Sequence, residues 1–307
     1  MTTLITVLLP IVVTLGLGFF AGWHKDFTQG QSTILNRVVM LYSLPMSLAA
    51  GILSIDRSEL FDNIPTFVGL FIVMIGGYFL CLFIFRFIFK NSIGVTALRA
   101  LAITGPAVPF VGPTVLSTMF GASDSALVVS LGSILMNLIQ VPVTLVLLSL
   151  GNQQSQSSFF KIIKDAVKEP VVWSPILSFI LVLIGFQLPS DIGGSLTLLG
   201  TATGGVALFA SGIVLYAQKV SISKDVIVNV LAKSILIPLI TFLITWALKD
   251  SLHTIEITTL TMAIPTASIP VILAVEYKTY EKEAASTLFF STLISIIAMG
   301  ILIFIIG

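Results

Sequence analysis

The chain has 307 residues, of which 56% are hydrophobic and only 9% charged, with a net charge of +1. Ordinary soluble domains are about 25% charged, so this chain lacks the charged shell that water requires, and the bilayer is its solvent. Near-neutrality offers nothing for nucleic acid to bind, and no such partner is expected. One cysteine, Cys81, excludes an internal disulfide, and with only His24 and His253 beside it no metal or cofactor is expected.

A membrane helix needs roughly 20 mainly apolar residues. The first such run, 4–22, has no basic residue before it and no small-residue cleavage site after it, so it reads as a span and not a signal peptide. Nine more follow, at 34–53, 65–85, 97–120, 125–150, 170–188, 193–217, 226–248, 257–279 and 284–306. The polar turn Gly121-Ala122-Ser123-Asp124 separates the fourth from the fifth. In the long connection 151–169, NQQSQ leads into FFKIIKDAVKE, whose pattern predicts a short amphipathic helix on the membrane surface.

The basic residues orient these runs. With the N-terminus outside, thirteen of the fifteen Lys and Arg fall in or beside the odd-numbered loops, leaving only Arg57 and Lys249 outside. Cytoplasmic loops are enriched in Lys and Arg, so those loops are expected to be cytoplasmic and both termini external.

The chain also resembles itself at an offset of 161 residues. AAGIL (49–53) aligns with ASGIV (210–214), AITGPAVP (102–109) with AIPTASIP (263–270), and SALVVS (125–130) with STLFFS (286–291). These pieces lie in runs 2 and 7, 4 and 9, and 5 and 10. Five is odd, so the second unit enters the membrane from the opposite side, an architecture common among secondary transporters. The predicted fold is therefore an all-α polytopic membrane protein of ten transmembrane helices. Residues 1–150 form one five-helix unit, 151–169 a cytoplasmic linker, and 170–307 an inverted second unit.

Runs 4 and 9 carry the strongest functional signal. Run 4 clusters Gly105, Pro106, Pro109, Gly112 and Pro113 at mid-span; run 9 has Pro265 and Pro270 around Thr266, Ala267 and Ser268. A proline costs about 3 kcal/mol in a helix interior, so both helices are expected to break. Broken backbone at membrane depth survives only where protein buries it or it lines a cavity. Each second half-helix then presents the positive end of its dipole, equivalent to roughly half a charge. Two such ends facing one cavity favour a carboxylate.

At these residues the sequence resembles the auxin efflux carrier family. Run 2 has Asn36-Arg37 and Leu44-Pro45, like the family's N-R…P-L stretch. Run 4 keeps Pro106, Gly112 and Met119-Phe120-Gly121, and run 9 keeps Pro265, Pro270, Ala274 and Glu276-Tyr277, followed by Ser286-Thr287. The resemblance implies a ten-helix inverted-repeat fold in which broken helices 4 and 9 cross. It also implies a homodimer in the plasma membrane and an elevator-like movement of helices 3–5 and 8–10 against 1, 2, 6 and 7. Where plant carriers have a substrate-contacting Asn this chain has Ala107, and its central loop is short. Short bacterial relatives carry malate and malonate, so the implied substrate is a small organic anion of that class. The alternatives are another monocarboxylate, such as an auxin-like indole acid, or a channel or sensor using the same cavity.

The candidate substrate-binding residues are thus Thr104, Pro106, Ala107, Pro109, Gly112, Pro265, Thr266, Ser268 and Pro270. Asn137 from run 5 and Ser43 and Ser47 from run 2 complete the set, with Thr201 and Thr203 as further hydroxyls. Arg37, Glu276 and Gln140 are candidates for gating or coupling. All fourteen acidic residues lie at or near span ends, which argues against a buried aspartate relay and against an enzyme built on paired aspartates. Lys233, about two turns into run 8, is expected to snorkel to the interface. The cavity then holds about one unit of positive charge from its two helix ends, which favours a monoanion and predicts dicarboxylate uptake that rises as pH falls.

Overall fold

The computed structural model describes residues 2–53, 64–151, 168, 170–186, 190–218 and 220–306. Arg57, Lys161, Lys164, Lys219 and, apart from Lys168, the amphipathic piece of 151–169 lie outside these residues. Within them the molecule is helical, and its only β-type pairing is an isolated bridge between Pro106 and Thr266.

In chain order, α1 (Thr2–Trp23) leads to α2 (Gln29–Val38), which continues through a π-turn at Val39–Ser43 into α3 (Leu44–Leu53). Next come α4 (Ile64–Phe71), a π-turn at Ile72–Gly76 and α5 (Gly77–Phe83). The fourth run is two helices, α6 (Ile93–Thr104) and α7 (Val108–Phe120). The fifth joins α8 (Ala122–Leu135) to α9 (Val141–Gly151) through a π-turn at Met136–Gln140. The second half opens with α10 (Pro170–Leu183), α11 (Ser190–Gly200) and α12 (Ala202–Gln218). α13 (Lys224–Leu231) passes through a π-turn at Ala232–Leu236 into α14 (Ile237–Ala247). The ninth run is again divided, into α15 (Leu252–Ala263) and α16 (Ile269–Glu276), and α17 (Glu281–Ile306) closes the chain.

Six helices among the described residues are long and apolar enough to cross a bilayer: Gln29–Ala50, Ile64–Ile88, Leu127–Gly151, Gly193–Ala217, Lys224–Ala247 and Glu281–Ile305. Their outward faces are apolar; Phe304 is 87% exposed and Leu198 80%. Apolar side chains left outside on this scale need lipid to cover them.

The helices sort into two groups by packing. α1 lies along α12, and α3 packs on α10 and α11. The first crossing is backbone to backbone. A Cβ added at Gly18 would fall 2.0 Å from the Phe209 carbonyl oxygen, and one at Gly212 would fall 2.1 Å from that of Leu15. In the other group α7 packs on α8, α14 on α15, α9 on α6 and α13 on α17. The broken helices α6, α15 and α16 sit at the centre: every residue from Thr96 to Thr104 and from Ile269 to Val275 is buried. A helix apolar all round belongs in the interior.

Matching turns recur in the two halves. After α1 the N–H groups of His24, Lys25 and Asp26 bond the carbonyls of Phe20, Gly22 and Ala21; after α10 those of Ile184, Gly185 and Phe186 bond Ile180, Val182 and Leu181. Both are Schellman caps, with a left-handed residue at Lys25 (φ 65) and at Gly185 (φ 81). Lys90 (φ 56) and Lys249 (φ 60) likewise each precede, by two residues, a serine that caps the next helix, Ser92 and Ser251. The π-turns Ile72–Gly76 and Ala232–Leu236 correspond as well.

Candidate functional site

The two breaks meet. Ala107 N–H donates to the Pro265 carbonyl at 2.8 Å and Ala267 N–H to the Gly105 carbonyl at 3.0 Å, so Pro106 and Thr266 face each other as an antiparallel pair. Backbone groups freed by the breaks must find partners inside the protein, and here each interruption satisfies the other. Thr266 Oγ1 donates to the Ala102 carbonyl at 2.6 Å and Thr104 Oγ1 to that of Ala100 at 2.8 Å. The Thr266 hydroxyl thus ties the second break to α6, whereas that of Thr104 bonds its own helix. A Cβ at Gly105 would lie 2.7 Å from the Leu101 carbonyl oxygen, which only glycine permits.

Pro109 and Pro270 are the second residues of α7 and α16, where a missing N–H costs nothing because that donor has no intrahelical acceptor. The interruptions fall just before them, at Gly105–Ala107 and Ile264–Ser268. Gly112 has a packing role: a Cβ there would come within 2.7 Å of Val129 Cγ2, where α7 meets α8.

Ala107, Pro265, Thr266 and Ser268 line a pocket at the crossing with Leu208 of α12 and Leu288 and Thr292 of α17. Its space is about 10 Å³, roughly enough for one water. The pocket lies between the two packing groups, because Leu208 belongs to one and the remaining lining residues to the other.

The other expected residues divide. Gln140 is fully buried, and its Nε2 donates to the Met74 carbonyl at 2.8 Å and to Thr104 Oγ1 at 3.0 Å, bracing the first break. Asn137 turns back on its own helix, donating to the Ser133 carbonyl at 2.7 Å, and leaves Oδ1 buried without a partner. Ser43 is buried and Ser47 half-buried on the inner side of the second run. Thr201 bonds the Leu198 carbonyl, and Thr203 Oγ1 is buried without a partner. Arg37 and Glu276 are exposed and do not join the crossing.

Lys233 corrects the sequence reading. It does not snorkel: it is fully buried, and Nζ donates to the Met262 carbonyl at 3.1 Å, two residues before the break in the ninth run. Its depth was mistaken because distance from a helix end says nothing of which face the side chain leaves. An ionisable group inside a membrane protein is costly and marks function by default. Arg99, counted above among loop residues, is also buried at 1% exposure. Its Nη1 reaches Asp225 Oδ1 at 2.7 Å, its Nε reaches Asn229 Oδ1 at 3.0 Å, and its guanidinium lies 4.1 Å from the Phe85 ring centroid. Asn229 Nδ2 bonds Tyr280 Oη and Thr287 Oγ1 in turn, so this cluster ties α6 to α13 and α17. Burial raises the Tyr280 phenol above its ordinary value, which keeps its proton in place. At the opposite end, His253 Nε2 lies 2.9 Å from Asp124 Oδ2.

A family model described as membrane transport protein matches residues 3–303. The uncharacterized transporter YfdV of Escherichia coli is 34% identical over 290 residues, which is 93% of this chain and 92% of that protein. Its Shigella flexneri counterpart shows the same figures. An uncharacterized transporter of Methanocaldococcus jannaschii is 24% identical over 307 residues, 96% of both chains.

Proposed function

The chain belongs to the membrane transport protein family, the auxin efflux carrier-like group, and is a multi-pass membrane transporter; from that premise we propose that it is a secondary carrier of small organic carboxylates of the malate and malonate class. The observation that carries this reading is the reciprocal pair of bonds between the two breaks, Ala107 to Pro265 and Ala267 to Gly105. It brings two half-helix starts to one pocket at the seam between two packing groups. Such starts attract anions.

The ten-span inverted repeat belongs to this proposal. The matched Schellman caps, the matched Lys–x–Ser turns and the matched π-turns support it, because chance similarity of apolar sequence would not reproduce φ values and cap bonds. In this reading α4–α9 with α13–α17 move as one body past α1–α3 with α10–α12, and the pocket opens alternately to either side. The Lys-rich loops face the cytoplasm.

Lys233 changes the charge available. Two half-helix ends supply about one unit, and Lys233, whose Nζ bonds the Met262 carbonyl two residues before the second break, would add to it when protonated. In this reading, with Lys233 protonated, the site suits a dicarboxylate dianion, whereas the two helix ends alone suit the monoanion expected from the sequence. The test is uptake of labelled malate by vesicles containing only this protein. Saturable uptake above protein-free vesicles is the predicted result; none with malate, malonate or any other small carboxylate contradicts it.

A further inference from the structure

One buried polar residue finds nothing in the molecule to satisfy it. Asn36 is fully exposed to protein and not at all to solvent, and neither Nδ2 nor Oδ1 has a hydrogen-bond partner. It is the one buried amide among the described residues with both atoms vacant; Asn137 and Gln140 each lack a partner only at the oxygen. Buried amides are almost always paired, so a doubly vacant one calls for an explanation.

Its position suggests which. α2 packs on α12 and on α16, and these helices bring Leu208 and the cap residue Ser268 to the pocket. Gln29 Nε2, at the start of α2, bonds Glu281 Oε2 at the start of α17 at 2.6 Å. Asn36 and Leu288 each lie seven residues farther along their helices, about 10 Å inward at 1.5 Å per residue. Leu288 lines the pocket. Asn36 thus lies on a helix packed against two of the helices that line the pocket, and it comes from the opposite packing group to the crossing.

A vacant amide offers a donor and an acceptor side by side. A bare carboxylate supplies only acceptors and would leave Oδ1 unsatisfied. A carboxylate with a hydroxyl on the adjacent carbon supplies both. We propose that Asn36 is a substrate-binding residue that selects 2-hydroxycarboxylates over acids lacking the hydroxyl. This rests on the carboxylate-carrier reading and narrows it: malate fits, whereas malonate and succinate leave the amide half paired.

The experiment compares labelled malate and succinate in vesicles containing the wild type or Asn36→Leu. Leucine keeps the branching of asparagine at Cγ with somewhat more bulk and removes both vacant groups, so the variant should fold with a melting temperature near that of wild type. A site that hydrogen-bonds a substrate hydroxyl discriminates strongly against analogues without it, so wild type should favour malate by on the order of tenfold in kcat/KM. In Asn36→Leu that ratio should fall to about one. An unchanged ratio, or a lower melting temperature with equal losses for both acids, assigns Asn36 to packing and overturns the inference. Equal wild-type handling of both acids overturns it while sparing the carrier reading. A wild type inert toward both acids removes the carboxylate reading and this inference together.

Discussion

At the residue scale the account turns on Lys233. Its Nζ bonds the Met262 carbonyl in a fully buried position beside the second break, which is why the proposal gives it a role in charge recognition. Replacing it by methionine keeps the length and apolar stem and removes the charge. At fixed total malate, lowering the pH toward the second pKa of the acid depletes the dianion and enriches the monoanion. Wild-type initial uptake is expected to fall along that series, with membrane potential and internal pH clamped. Lys233→Met should move the optimum to lower pH. Wild-type rates that rise as pH falls would show that Lys233 does not reach the site. The sequence shows the lysine plainly. It does not show the face: in a run that is apolar on every side, 3.6-residue periodicity cannot separate an inward position from a lipid-facing one. Asn36 was hidden for the same reason. It was visible as half of a motif, but its vacancy is a property of its neighbours.

At the element scale the breaks were legible because proline and glycine act locally. Pro106 with Gly105, and Pro265 with the short polar residues after it, interrupt their helices through their own backbone chemistry. That the two interruptions pair with each other was not legible, since the Ala107–Pro265 and Ala267–Gly105 bonds join residues far apart in the chain. The repeat shows the same division. Sequence self-similarity gives one offset from three short windows. The Lys90–Ser92 and Lys249–Ser251 turns share backbone form while their neighbours differ, Asn91 against Asp250. Positive φ at a lysine is uncommon outside helix C-caps, so sequence gives no warning of it. Close packing was equally silent. Gly18 and Gly212 look like ordinary small residues until the α1–α12 crossing leaves no room for a Cβ.

At the scale of the whole molecule, the proposal takes orientation from the asymmetry of Lys and Arg and mechanism from the seam between packing groups. Arg99 and Lys233 prove to be interior residues, yet the remaining basic residues still favour one set of loops. Ile222 is 73% exposed between α12 and α13, and Leu252 is 69% exposed at the start of α15. With Cys81 replaced by serine, a cysteine at Ile222 should react with an impermeant thiol reagent only from the cytoplasm. One at Leu252 should react only from outside, and the reverse pattern would invert the topology.

The central claim is that the crossing is where the carried acid binds, and Ser268 is placed to report on it. It caps α16, lines the pocket and is 4% exposed, so a thiol there meets reagent only as the pocket opens. The measurement is the rate at which Ser268→Cys, in the Cys81→Ser protein, is alkylated with and without saturating malate, beside Ile222→Cys as a site remote from the crossing. The account predicts that malate slows alkylation at position 268 and leaves position 222 unaffected. Equal alkylation rates at position 268 with and without malate, in a protein that still takes up malate, would place the substrate elsewhere and contradict it.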